Sequence, residues 1–171
     1  DHAVPYTGLF LTLEEAAKAK CPVLNVSRST AHKILRLLRS GKKPVIRVRV
    51  DAEYDFNPVF PVVKATIRGF EGGRSVILIA HICHPMPGAN DNASGSVALL
   101  ELALTLNKLI REGILERPRY DIVFLWVPEY SGTLLYVSRE KVTPDNVISV
   151  INLDMVGERQ EKTGSTAISV S

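Results

Sequence analysis

Histidine, cysteine and tryptophan are scarce in this chain, at four, two and one among 171 residues. The two cysteines, Cys21 and Cys83, cannot build a disulfide framework, which excludes the small secreted scaffolds that depend on one. No apolar run approaches the roughly 18 residues that a membrane span needs. The opening residues do not read as a secretory leader. Localisation is left open by this, with the cytoplasm favoured. What is present fits a globular chain: 46% apolar and 23% charged residues with a net charge of +3. Such a composition excludes disorder and collagen-like repeats. The chain is long enough to bury a core, yet short for an enzyme with two lobes.

Acidic residues are missing over one whole stretch, with none between Ala16 and Val50. Residues 1–50 carry ten Lys/Arg against three acids, whereas residues 51–171 carry eleven against fifteen. A basic half can mark a polyanion partner. Here the basic residues fall on expected wet faces instead. Lys33, Arg36 and Arg39 lie off the stripe made by Ile34, Leu35, Leu37 and Leu38. Arg47 and Arg49 alternate with valines, as on a half-solvated strand. No aromatic residue is interleaved for base stacking, so no nucleic-acid partner is expected.

The first fifty residues read as a small α/β unit. Thr12 followed by Glu15 is a capping-box helix start. Residues 22–26 are expected as a strand, and Ser27 or Ser29 as the cap of a helix that stops at Ser40-Gly41. Residues 44–50 are expected as the next strand, and residues 51–58 as a boundary. Beyond it, residues 59–67 alternate into a strand, Phe70 to Arg74 make a turn, and Val76 to Ala80 form an apolar run of the kind buried on both faces. A long helix is expected from about Ser94 to Ile110, with further apolar strands at 122–127 and 147–151. Strands alternating with helices predict an α/β domain with a largely parallel sheet.

In such sheets ligands gather at the carboxyl ends of the strands. Three strand ends here deliver His81, Asp91, Glu129 and Asp154 toward one rim. Each has an ordinary reading: His81 as a loop residue, Asp91 as a helix cap, Glu129 as a solvated strand end, Asp154 as a turn former. Together they form a set that suits Zn²⁺, one ion or two bridged by a carboxylate. Asp91, between Asn90 and Asn92 at a helix start, suits a rigid bridge. Gly88 and Gly95 are expected to let the loop pass close to the metals. Glu129 suits a general base.

The run Gly88-Ala89-Asn90-Asp91-Asn92-Ala93-Ser94-Gly95 resembles the hallmark of the co-catalytic zinc aminopeptidases. This is the aminopeptidase Y and leucyl aminopeptidase family, to which glutamate carboxypeptidase II is related. Asn152-Leu153-Asp154-Met155-Val156-Gly157 resembles its second metal motif. Residues 22–52 resemble part of the protease-associated (PA) domain that many members carry. The resemblance implies a mostly parallel three-layer αβα sheet of zinc-exopeptidase type over residues 56–171, preceded by a partial PA-like unit over residues 1–55. It implies Asp91 as bridging ligand, Asp154 and His81 as metal ligands, Glu129 as general base, and a peptide or small amide as substrate.

Three departures bear on the site. Cys83 stands where the family has an aspartate, Tyr130 follows Glu129 where a second glutamate is usual, and no histidine follows His84. Thiolate and imidazole both bind zinc, so His84 is an alternative or additional ligand and Cys83 a further candidate, which leaves Glu129 as base or ligand. The expected function is zinc-dependent removal of an N-terminal residue, with another divalent metal as the alternative ion. The alternatives are a non-catalytic binding module and a single-zinc acyltransferase or cyclase. Measured against the family, the chain reads as a piece that ends in a strand beginning at residues 167–171 and that is inactive alone. Substrate preference and oligomeric state are not legible.

Overall fold

The computed structural model describes residues 2–4, 11–21, 23–51, 57 and 59–164. The strand expected to begin at residues 167–171 lies outside them, as does most of the boundary segment 51–58. The chain divides into two compact units, Asp1–Tyr54 and Asp55–Ser171.

The first unit holds two helices. α1 (Leu13–Lys18) opens with the capping box: the Glu15 N–H donates to Thr12 Oγ1 at 3.3 Å, and the Thr12 N–H donates to Glu15 Oε2 at 2.8 Å. α2 (Arg28–Arg39) is capped by Ser27, whose Oγ accepts the Thr30 N–H at 3.3 Å. Gly41, at φ +75°, ends it. There the Gly41 and Lys42 N–H groups close on the carbonyls of Leu38 and Leu37, the paired bonds of a Schellman stop. The expected strands at 22–26 and 44–50 do not form among the described residues. Val45, Ile46, Val48 and Val50 are all exposed, because alternation makes a strand only where a neighbour completes the ladder.

The second unit is built on a four-stranded mixed sheet in the order β1-β3-β2-β4. β1 (Val63–Ile67) lies antiparallel to β3 (Asp121–Val127), whereas β2 (Ser75–His81) runs parallel to both β3 and β4 (Val147–Asn152). Three of the four strands are thus parallel, with the antiparallel strand at one edge. β2 and β3 are buried on both faces. Ile77, Ile79, Val123, Leu125 and Val127 fill one side against Tyr136, and Leu78, Ala80, Phe124 and Trp126 fill the other against Leu99. β4, the other edge, leaves Ile148, Val150 and Ile151 exposed.

Leu99 belongs to α3 (Gly95–Arg111), and Tyr136 belongs to α4 (Ser131–Arg139), a helix the sequence pattern did not announce. The connections that carry α3 and α4 put β3 and β4 on opposite sides of β2. The chain thus diverges at the carboxyl end of β2, a switch point that opens a crevice. A wide turn, Ala89–Ser94, leads into α3 with non-helical φ/ψ at Asp91 and Asn92 and a cis peptide between them. By length and composition alone the stretch Ala89–Arg111 could cross a membrane. Its geometry is interrupted at Asp91 and Asn92, and Leu99, Leu102, Ala103 and Leu106 pack on the sheet. α5 (Gln160–Thr163) closes the described residues.

Candidate metal centre

Because β2, β3 and β4 are parallel, their carboxyl ends share one rim. His81 is the last residue of β2, Glu129 follows β3 by two positions, and Asp154 follows β4 by two. Asp91 comes from the turn between β2 and α3.

The turn is held by Asn92, a buried side chain whose amide is fully used. Its Nδ2 donates to the carbonyls of His81 at 3.3 Å and Leu153 at 3.0 Å, and its Oδ1 accepts the N–H groups of Gly95 at 3.1 Å and Met155 at 3.2 Å. Two donors and two acceptor sites are all that an asparagine amide offers. One residue thus ties the ends of β2 and β4 to the start of α3. It also takes the helix-capping role that Asp91 could have had, and leaves the Asp91 carboxylate for the rim. Asn90 adds a second tie, accepting the Gly157 N–H at 3.1 Å. Sequence reading passed over both asparagines as flanks of Asp91; their place in an Asn-Asp-Asn run at a helix start was the available signal.

Gly88 and Gly95 allow close approaches of the backbone. A Cβ on Gly95 would run into the Leu153 carbonyl, and one on Gly88 into the Asp91 carbonyl. They let backbone pass close to backbone, which is what the Asn92 tie requires.

The structure brings His81, Asp91 and Asp154 together. His81 is buried, and its Nε2 lies 3.1 Å from Asp91 Oδ1 and 3.4 Å from Asp154 Oδ1. One donor atom from each of the three lies within 4.8 Å of the others, so the group could hold a metal ion. Ligands about 2.0–2.1 Å from zinc at tetrahedral angles stand about 3.3–3.4 Å apart, close to the spacing here. His81 Nδ1 donates to the Cys83 carbonyl at 2.8 Å, a bond that turns Nε2 toward the two carboxylates. The donor set therefore fits a divalent ion of the zinc type in chemistry and in spacing.

The remaining residues of the sequence reading stand around this group. His84 Nε2 approaches the other Asp91 oxygen, Oδ2, at 3.1 Å. Cys83 enters through its backbone carbonyl, while its sulfur accepts the Glu129 N–H at 3.1 Å. Glu129 lies outside the close group of donor atoms. With His81 and Asp154 it lines a cavity of about 390 Å³ whose walls include Val127, Leu134 and Val150. His81 also lines a second cavity, of about 460 Å³, with Cys83, His84, Met86 and Asp91.

Neither the curated proteins nor the solved structures contain a match to the chain. A family model, described as peptidase family M28, matches residues 63–169, the stretch that holds the whole sheet and every residue of the rim. Peptidases of this family are hydrolases and typically depend on zinc, in keeping with the His81, Asp91 and Asp154 group. With the match extending over more than half of its length, the chain belongs to peptidase family M28.

Proposed function

We propose that the protein is a zinc-dependent aminopeptidase in which His81, Asp91 and Asp154 hold the metal and Glu129 is the general base. The observation that carries this reading is a buried imidazole facing two carboxylates at ligand-to-ligand spacing, with a further carboxylate in the same crevice. Zinc held there would supply Lewis-acid polarisation of the scissile carbonyl. Glu129 stands outside the donor group, which suits proton transfer better than ligation. It takes a proton from the attacking water and delivers it to the leaving amine nitrogen, so that a C–O bond forms as the C–N bond breaks. Val127, Leu134 and Val150 give the cavity beside it an apolar wall suited to an apolar N-terminal side chain. Assignment of residues 1–55 to a partial PA-like domain, and of the remainder to part of a catalytic domain, rests on sequence pattern.

The test uses the intact protein with leucyl-peptide substrates, free or acetylated at the N-terminus. Hydrolysis of the free form alone, abolished by chelation and by Asp91→Ala, is the expected result. Glu129→Gln is expected to lower kcat by about 10²–10⁴-fold while zinc content stays constant. Activity that survives both chelation and Asp91→Ala overturns the proposal. Loss of zinc in Glu129→Gln would make that residue a ligand, and bound zinc without hydrolysis would favour the non-catalytic binding module.

A further inference from the structure

Among the described residues, three other than glycine take a positive φ: Tyr130 at 52°, Lys141 at 49° and Met155 at 53°. Lys141 lies just past α4, where the Val142 N–H closes on the Val137 carbonyl at 3.0 Å, an ordinary left-handed helix stop. Met155 places its N–H on Asn92 Oδ1, within the tie already described. Tyr130 serves neither purpose. Its ψ is −65°, outside the left-handed helical region, and across it the Ser131 N–H donates to the Glu129 carbonyl at 2.5 Å. That is the γ-turn of positive φ, which is rare and strained. Glycine enters it freely, whereas a tyrosine there is held against its preference.

Such strain persists only where the surroundings enforce it. Both flanks of the turn are fixed: the Glu129 N–H donates to Cys83 Sγ at 3.1 Å, and the Gly132 N–H donates to the Pro128 carbonyl at 2.9 Å. The ring gains little packing in return, since Tyr130 is 58% exposed. What the turn achieves is direction. In a continued strand, the side chains of Glu129 and Tyr130 would point to opposite faces. Here both border the cavity of about 390 Å³ that also meets His81 and Asp154, opposite the apolar Leu134 and Val150. A tyrosine ring offers that space a broad apolar face.

We propose that Tyr130 is a specificity-determining residue, whose ring contacts the side chain of the substrate's N-terminal residue in this cavity. The proposal rests on the reading of the crevice as an aminopeptidase site. It gives Tyr130 a part in choosing the substrate, separate from the proton transfer assigned to Glu129.

The experiment compares hydrolysis of leucyl and alanyl peptides by the intact wild type and by Tyr130→Gly, Tyr130→Ala and Tyr130→Phe, with thermal unfolding followed in parallel. Loss of the ring in Tyr130→Gly and Tyr130→Ala is expected to lower kcat/KM for the leucyl peptide about 10-fold. The alanyl peptide, whose methyl group gives the ring little to touch, should be spared. Tyr130→Phe keeps the ring and should keep the wild-type preference. Tyr130→Gly should melt above Tyr130→Ala, because both lack the ring and only glycine accepts the turn. A melting temperature lower in the glycine variant removes the strain and overturns the proposal. Equal losses on the two peptides make Tyr130 a positioning residue for Glu129 and overturn the contact. An unchanged leucyl preference in folded Tyr130→Ala also overturns it, and leaves the aminopeptidase reading standing. A wild type that hydrolyses neither peptide overturns the proposal together with the reading on which it rests.

Discussion

Asn92 shows how much of the site depends on a residue that carries no chemistry of its own. Its amide satisfies two carbonyls and two N–H groups at the ends of β2 and β4 and the start of α3. Removing a buried amide that satisfies several partners leaves those partners unpaired in a water-poor place. Asn92→Ala is therefore expected to cost about 3 kcal/mol of stability, read from the denaturant midpoint of the sheet unit. Zinc affinity should fall with it, because His81 and Asp154 lose their common tie. A second residue governs the acid limb of stability. The Gly69 N–H at 2.8 Å, and after it the Arg68 guanidinium at 2.6 Å, hold the Asp121 carboxyl below its ordinary value, against the opposing effect of partial burial. A carboxyl lowered in the folded state stabilises it at pH values above its unfolded pKa, about 3.9. The contribution is lost as pH falls through the lower folded value. Asp121→Asn should be less stable than wild type at neutral pH and should converge with it in strong acid, as followed by pH-dependent denaturation.

Among the elements, α3 joins packing to site placement. Leu99 is fully buried among Leu78, Ala80, Phe124 and Trp126. The Trp126 indole N–H donates to the Ser96 carbonyl at 3.0 Å, and Ser96 Oγ donates to the His81 carbonyl at 3.0 Å. The helix thus packs on the sheet and touches the strand end that bears His81. Leu99→Ala is expected to destabilise the unit by about 3 kcal/mol, the range for emptying a buried leucine site, measured by thermal or urea unfolding. Beyond its one buried leucine, α3 exposes Val97, Leu100 and Leu104. The helix was legible in the sequence because its 3.6-residue apolar period persists over 17 residues. α4 was not. Its nine residues are shorter, and its start depends on Gly132, where a Cβ would meet the Pro128 ring.

At the scale of the molecule, a metal bound only by the folded rim adds its binding free energy to folding. Chelation should lower the melting temperature of the wild type, and Asp154→Asn should be nearly indifferent to chelator; equal shifts in the two would remove Asp154 from the site. Local features were readable in the sequence because their partners are near in the chain. Thr12 and Glu15, Ser27 and Thr30, and the stop at Gly41 close bonds across a few residues. The apolar runs that became β2 and β3 were readable for a related reason, since burial on both faces leaves no polar position in the run. Residues 22–26 and 44–50 carried a strand pattern as well, but a strand exists only as one side of a pair, and their described residues have none. Chain order could place His81, Asp91 and Asp154 near one rim. It could not say that Asn92 caps α3 in place of Asp91, or that one Asp91 oxygen faces His81 and the other His84. Those outcomes turn on bonds such as the one from Asn92 to Leu153, across 61 residues. Sequence sets which donors are available, and only the folded sheet brings them within the few ångströms at which a ligand set is defined.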